Sequence, residues 1–156
     1  MIVVSDTSPI TALLSIGRID LLKSVFDEVV VPAAVHDELL QYHDSLPSFL
    51  RVVKVRDRDD VAVLAMRLDR GEAEAISLAR EVNADWLLMD ETVGRRVARG
   101  LGLRVLGLLG VLILARRRGL LPSLRGAIMD LRSSAGFYLS DDLIGRALKE
   151  VGEGLT

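Results

Sequence analysis

Five short, almost wholly apolar runs, separated by segments of helical period, constrain the fold of this chain more than any other feature. They are Ile2–Val4, Val29–Val31, Val52–Val55, Trp86–Met89 and Arg104–Leu106. Strands without a polar face suit a sheet covered by helices on both sides, and such sheets are mostly parallel. The alternation predicts an α/β chain, a three-layer α/β/α sandwich around a central, mostly parallel sheet of about five strands. With 156 residues, half of them hydrophobic, one independent core is feasible. Aromatic residues make up only 4%, so that core must be built from Leu, Val, Ile and Ala.

The helices carry their own punctuation. Ser8 followed by Pro9 reads as an N-cap with proline in the first helical position. Gly17 breaks the chain before a second helix over Ile19–Val25, and Pro32 opens a third that runs to about Gln41. Residues Asp59–Leu68 suit a fourth helix, which Gly71 separates from Glu72–Glu81, and a further helix over Val93–Arg99 is stopped by Gly100 and Gly102. From Gly107 onward the chain reads as helical, with breaks near Gly119–Pro122 and Ser133–Gly136. No linker, repeat or low-complexity stretch interrupts it. The expectation is one domain over residues 1–156, with 120–156 a C-terminal helical extension packed on it.

Several function classes drop out on composition. The chain has no cysteine, hence no disulfide framework, thiolate zinc site or thiol nucleophile, which fits a reducing cytoplasm. The longest apolar run, Val105–Ala115, ends in Arg116-Arg117-Arg118 and falls far short of the ~20 residues that span a bilayer. The N-terminus enters Ile2-Val3-Val4 with no basic stretch or cleavable signal before it. A soluble cytoplasmic protein with no membrane partner is expected. A net charge of −2 gives no bulk attraction to nucleic acid, although a local basic face is compatible with it.

Acidic residues stand where an open parallel sheet places its functional crevice, beyond the carboxyl ends of the strands. Asp6 follows the first strand and Asp90 directly follows Trp86-Leu87-Leu88-Met89. Alone, each could equally be a turn former or helix cap. Glu38 lies in the helix after the second strand, where its neighbours Val35, Leu39 and Leu40 mark the buried side. Glu72 begins a helix, a position that the helix dipole alone would favour. Glu74 points to a different side of that helix and can at most support the site.

Four carboxylates brought together resist ionisation unless a cation neutralises them. An all-oxygen cage suits Mg²⁺ or Mn²⁺ rather than Zn²⁺. His36 and His43 do not change this, because seven helical positions separate them by about 10 Å of rise. Both read as surface residues. No Ser sits in a strand-turn-helix elbow. Metal-activated water remains, and its typical use is in-line attack on a phosphodiester.

These residues resemble the PIN-domain nucleases, the group that includes VapC-type toxins of toxin–antitoxin pairs. The resemblance starts with a hydrophobic strand entering Ser5-Asp6-Thr7-Ser8-Pro9 and continues with Val31-Pro32-Ala33-Ala34-Val35 leading to Glu38-Leu39. Gly71-Glu72-Ala73-Glu74-Ala75-Ile76 follows, then Leu87-Leu88-Met89-Asp90 with Arg95 and Ala98. These segments occur in the family's order over roughly residues 2–115. The tail, including Gly136-Phe137-Tyr138-Leu139-Ser140, looks like the C-terminal extension of one branch of PIN-like proteins.

The resemblance implies that Asp6, Glu38, Glu72 and Asp90 hold one or two Mg²⁺ or Mn²⁺ ions for endoribonucleolytic cleavage. Thr7 or Ser8 would orient Asp6 or a water through a hydroxyl. The sequence departs from the pattern twice. Glu72 stands where the toxins usually have Asp, and Leu108 follows Gly107 where the branch tends to carry a hydroxyl residue. Gly107 and Gly110 are not followed by Lys-Ser/Thr, so they read as packing glycines rather than a phosphate loop.

Arg95, Arg96 and Arg99, on the helix after Asp90, are placed to clamp an RNA backbone, with Arg95 the foremost of them. With few aromatics, binding is expected to rest on phosphate contacts more than on stacking. The resemblance also implies a homodimer and, for a toxin, an antitoxin protein lying across the groove. A mean hydropathy of +0.35 is compatible with a buried dimer face.

Two other functions use small α/β domains with acidic strand ends. A phosphoacceptor receiver needs an acidic pair after the first strand and a Lys after the fifth. Here Asp6 stands alone and no Lys follows Leu106. A catalytically inactive PIN-fold module that binds RNA or protein is the other; the four carboxylates argue against it.

Overall fold

The computed structural model describes residues 1–154; positions 155–156, the end of the expected extension, lie outside the described residues. The strands are β1 (Ile2–Ser5), β2 (Glu28–Pro32), β3 (Leu50–Val53), β4 (Trp86–Leu88) and β5 (Val105–Leu106). Between and after them lie α1 (Thr7–Ser15), α2 (Asp20–Val25), α3 (Ala33–Tyr42), α4 (Arg58–Leu64), α5 (Arg70–Glu81) and α6 (Thr92–Gly100). The chain continues through α7 (Leu108–Arg117), α8 (Leu124–Ser134) and α9 (Asp141–Glu150).

All strand pairs are parallel, in the order β3-β2-β1-β4-β5. Successive strand residues face opposite layers. Val3, Val29, Val31 and Leu88 join a core with Ile10, Leu13, Leu22 and Leu112, whereas Val4, Val30, Leu87 and Met89 join one with Val61, Ile76 and Ala98. Both faces of the sheet are therefore covered by helices, as an α/β/α sandwich requires. Leu121, Leu124, Ile128 and Leu131 of the C-terminal region are buried in the first of these cores, together with α1, α2 and α7.

Several boundaries shift by a residue, and four differences from the sequence expectation are larger or bear on the site. The helix expected to start at Pro9 begins at Thr7, with Asp6 in the N-cap position; proline is tolerated there because first-turn amides have no intrahelical acceptor. Strand β3 starts at Leu50, paired with Val29, and ends opposite Pro32 at Val53; Val55 has left the ladder and is buried in the second core. Helix α4 spans Arg58–Leu64, capped by Asp57, rather than Asp59–Leu68. Gly71 does not separate two helices but lies inside α5, which Asp69 starts with a reciprocal capping box to Glu72.

Chain direction decides where chemistry can occur. From β1 the chain steps outward through β2 to β3, then crosses back to the other side of β1 to form β4. The crevice at such a switch point, beyond the carboxyl ends of β1 and β4, is where open α/β sheets bind ligands.

Candidate active site

Asp6 and Asp90 leave the carboxyl ends of these two neighbouring strands. Ser5 pairs with Leu88, and the Asp6 amide donates to the Leu88 carbonyl at 3.0 Å, so β1 is held against β4 up to the acidic residue. Asp6 is only 6% exposed, and its side chain makes no capping hydrogen bond to α1. The ordinary explanation of a strand-end aspartate, helix capping, does not apply to it.

Asp6, Glu38 and Glu72 line one cleft of about 410 Å³, together with Thr7, Asp69 and Glu91. Each glutamate is oriented by a local donor. The Thr7 hydroxyl donates to Glu38 Oε2 at 3.0 Å, and the Asp69 amide donates to Glu72 Oε1 at 3.1 Å. In return, Asp69 Oδ1 accepts from the Glu72 amide at 2.8 Å. Two glycines let backbone approach these carboxylates. A Cβ on Gly71 would sit 3.2 Å from Glu38 Oε2, and one on Gly94 would sit 2.6 Å from Met89 Sδ and 3.4 Å from Glu72 Oε2.

Burial and crowding shape the electrostatics. Burial, with added repulsion from Glu72, Asp69 and Glu38, pushes the Asp6 carboxyl up to about 7, although the Thr7 amide pulls the other way. Burial likewise raises Glu72, assisted by the charges of Asp69 and Glu91. Asp90 is raised by burial and partly offset by the Leu108 amide and the Arg95 guanidinium.

Asp90 faces a neighbouring hollow of about 340 Å³, lined by Thr92, Arg95, Arg96 and Arg99. The Leu108 amide donates to it at 3.1 and 3.3 Å, supplying from the backbone a contact at the position where a hydroxyl residue was missed. Arg95 is half-buried and donates from Nη1 to the Met89 carbonyl at 2.9 Å, whereas Arg96 and Arg99 are exposed. Gly107 is more than a packing glycine: a Cβ there would lie 2.6 Å from Arg95 Nη1 and 2.9 Å from Asp90 Oδ1.

Of the supporting residues, Thr7 and Ser8 line the cleft. Glu74 does not. It is 1% exposed and turned towards the start of α3, where it accepts the Ala34 amide at 3.0 Å and pairs with Arg58 and Arg70. His36 and His43 are half-buried rather than fully at the surface, and His43 Nε2 lies 3.4 Å from the Thr11 hydroxyl. Asp69, Glu91, Tyr42 and Phe137 are cleft residues that the sequence reading did not single out. Asp69 was findable, because Asp69-Arg70-Gly71-Glu72 has the spacing of a capping box.

Among the described residues no three acidic side chains are closed around a common point as ion ligands. The donor set still fits a hard divalent cation. Every candidate ligand is a carboxylate oxygen, and the burial that chiefly lifts Asp6, together with the repulsion from Glu72, Asp69 and Glu38, is what such a cation would offset.

The family model DUF3368, PIN domain, matches residues 2–153. The chain belongs to the PIN-domain family. The match runs through α8 and α9, so the family pattern includes the C-terminal helices. No curated protein matches the chain. PIN domains are nuclease-type hydrolases that act on nucleic acid and typically use divalent metal ions. In this PIN domain no helix among the described residues is long and apolar enough to cross a membrane.

Proposed function

We propose that this PIN domain is a Mg²⁺- or Mn²⁺-dependent endoribonuclease whose metal-binding and catalytic carboxylates are Asp6, Glu38, Glu72 and Asp90. The observation that carries the reading is the state of Asp6: buried at a strand switch point, free of any capping duty, and pushed up to about 7 in a nest of like charges. An arrangement that costs stability by itself marks a functional site more often than a structural one.

One or two ions held there would neutralise the carboxylates, activate water for in-line attack and stabilise charge on the phosphate. The protein's own part is orientation. Thr7 fixes Glu38, the Asp69 amide fixes Glu72, and the Leu108 amide fixes Asp90. Ser8 adds an exposed hydroxyl at the cleft. Arg96 and Arg99 contact RNA phosphates on the Asp90 side, and Arg95, anchored on the Met89 carbonyl, contributes its remaining N–H groups.

The finer reading is that the enzyme is the cytoplasmic toxin of a toxin–antitoxin pair, a homodimer held by an antitoxin protein across the cleft. Residues 1–156 act in it as one domain, with 120–156 as its helical extension. Support for the toxin role is the resemblance to VapC-type proteins. Co-purification with the product of an adjacent reading frame tests it.

A second reading, a PIN-fold RNA- or protein-binding module without catalysis, is favoured by one observation: Asp90 faces its own hollow rather than the cleft of the other three acids. One assay separates the two. Ribonuclease activity in Mn²⁺ that is lost in both Asp6→Asn and Asp90→Asn supports the enzyme. Equal residual activity in wild type and both variants points to the binding module.

A further inference from the structure

The acidic cleft also has an aromatic wall. Tyr42, at the last turn of α3, and Phe137, between α8 and α9, line it together with Thr11 and Ala12. The chain has one Trp, two Tyr and three Phe, so two rings at a single polar cleft are a concentration that composition does not explain. Of the other four rings, Phe26 is buried in the core, Phe49 packs half-buried against it, Trp86 lies under the Arg104 guanidinium at 4.3 Å, and Tyr138 is exposed and outside the cleft lining. Tyr42 is 74% exposed beside the carboxylates. Phe137 is half-buried and fixed in place. Gly136 turns the chain at φ +59°, the Phe137 amide donates to the Leu131 carbonyl at 3.1 Å, and Arg132 reaches Leu139 and Asp141 just beyond.

Their place along the sheet edge gives these rings a role. Arg96 and Arg99 belong to the helix after β4, Tyr42 to the helix after β2, and β1 with Asp6 lies between those strands. A polynucleotide passing from the Asp90 hollow into the cleft meets guanidinium groups in the first and both carboxylates and aromatic side chains in the second. We propose that Tyr42 and Phe137 form a stacking subsite for an unpaired nucleobase flanking the scissile phosphate, a specificity element of this site. The proposal rests on the nuclease reading. A base supplies a π-face to the rings while its phosphates stay over the ion-binding side, and stacking of this kind tolerates any base. A base inside a duplex has no free face to offer.

The test is fluorescence anisotropy of a labelled single-stranded oligoribonucleotide and of a base-free oligomer with the same number of phosphates. Both are bound, without divalent metal, to the full chain carrying Asp6→Asn, so that the arginines and the rings alone hold the probes. Adding Tyr42→Ala or Phe137→Leu is expected to weaken the base-bearing probe about tenfold each, within the range of base–aromatic stacking. The base-free probe is expected to bind unchanged, and Tyr42→Phe to bind like its parent. Phe137→Leu keeps apolar packing and removes the flat ring, so a folding defect is not mistaken for lost stacking. Equal weakening of both probes, or of neither, overturns the subsite, and the latter leaves the rings to a protein partner. Cleavage by the wild type in Mn²⁺ is scored separately, so that a failed nuclease reading and a failed subsite give different results.

Discussion

The Thr7 hydroxyl donates to Glu38 Oε2 at 3.0 Å, joining the first residue of α1 to the middle of α3 across the candidate site. The bond sets the direction of a half-buried carboxylate that otherwise has several rotamers. Thr7→Val keeps the shape and removes the donor. We expect kcat on RNA to fall about tenfold, stability to fall by about 1 kcal/mol, and Thr7→Ser to restore both. Steady-state kinetics and urea denaturation read the outcome.

Gly107 separates a positional effect from a general one. A Cβ there meets Arg95 Nη1 at 2.6 Å and Asp90 Oδ1 at 2.9 Å, so in Gly107→Ala the ends of these two side chains must give way. The expected stability cost is about 1 kcal/mol, the low end for an added methyl, because both can move, while activity falls as Asp90 is shifted. Gly145, inside α9, has nothing within 4 Å of its would-be Cβ, and Gly145→Ala should stabilise by up to about 1 kcal/mol. Thermal unfolding of both variants checks the contrast.

Stability without metal should depend on pH in an unusual direction. The Asp6 carboxyl rises from 3.8 to about 7 in the folded state, so between those values the native protein binds a proton that the unfolded chain has released. Its contribution is fully present below the lower value and is lost as pH rises through about 7. Glu72 and Asp90 are shifted in the same direction. Urea denaturation in EDTA should show stability falling by a few kcal/mol between about pH 4 and 8. Asp6→Asn should flatten much of that slope.

Glu74 and Glu72, two residues apart, should separate cleanly into structure and function. Glu74 is sealed against the Ala34 amide with Arg58 and Arg70. Removing it leaves the buried Ala34 amide without an acceptor, whereas Arg58 and Arg70 are mostly exposed and stay solvated, so Glu74→Ala should cost about 1–3 kcal/mol while activity per folded molecule persists. Glu72→Gln should abolish activity with a much smaller stability change. Active-site titration combined with denaturation distinguishes the two.

The fold was legible because the strand signal is carried by residues that can do little else. Val3-Val4, Val29–Val31 and Leu87–Met89 are buried between two helical layers, and no other element tolerates them in such short apolar runs. Boundaries were harder wherever a capping residue competes with a stronger local signal. Pro9 drew attention from Asp6 as the N-cap, and Gly71 masked the capping box of Asp69 and Glu72. Strand-end position was enough to put Asp6 in the candidate cleft. Asp69 is readable from its capping-box spacing to Glu72, whereas Glu91, Tyr42 and Phe137 enter the cleft through packing between elements far apart in the chain, which local spacing does not encode. Glu74 was open to misreading, since its direction depends on where α3 begins, forty residues earlier.

Direct measurement of Mn²⁺ binding tests the central claim, that distant carboxylates converge on one cation. Free Mn²⁺ is followed by electron paramagnetic resonance while wild type, Asp6→Asn and Glu72→Gln are titrated at pH 7.5 with and without competing Mg²⁺. Saturable binding by wild type, displaced by Mg²⁺ and weakened at least tenfold in each variant, is the expected result. Binding that is unchanged in Asp6→Asn, or absent from folded wild type, would contradict the account.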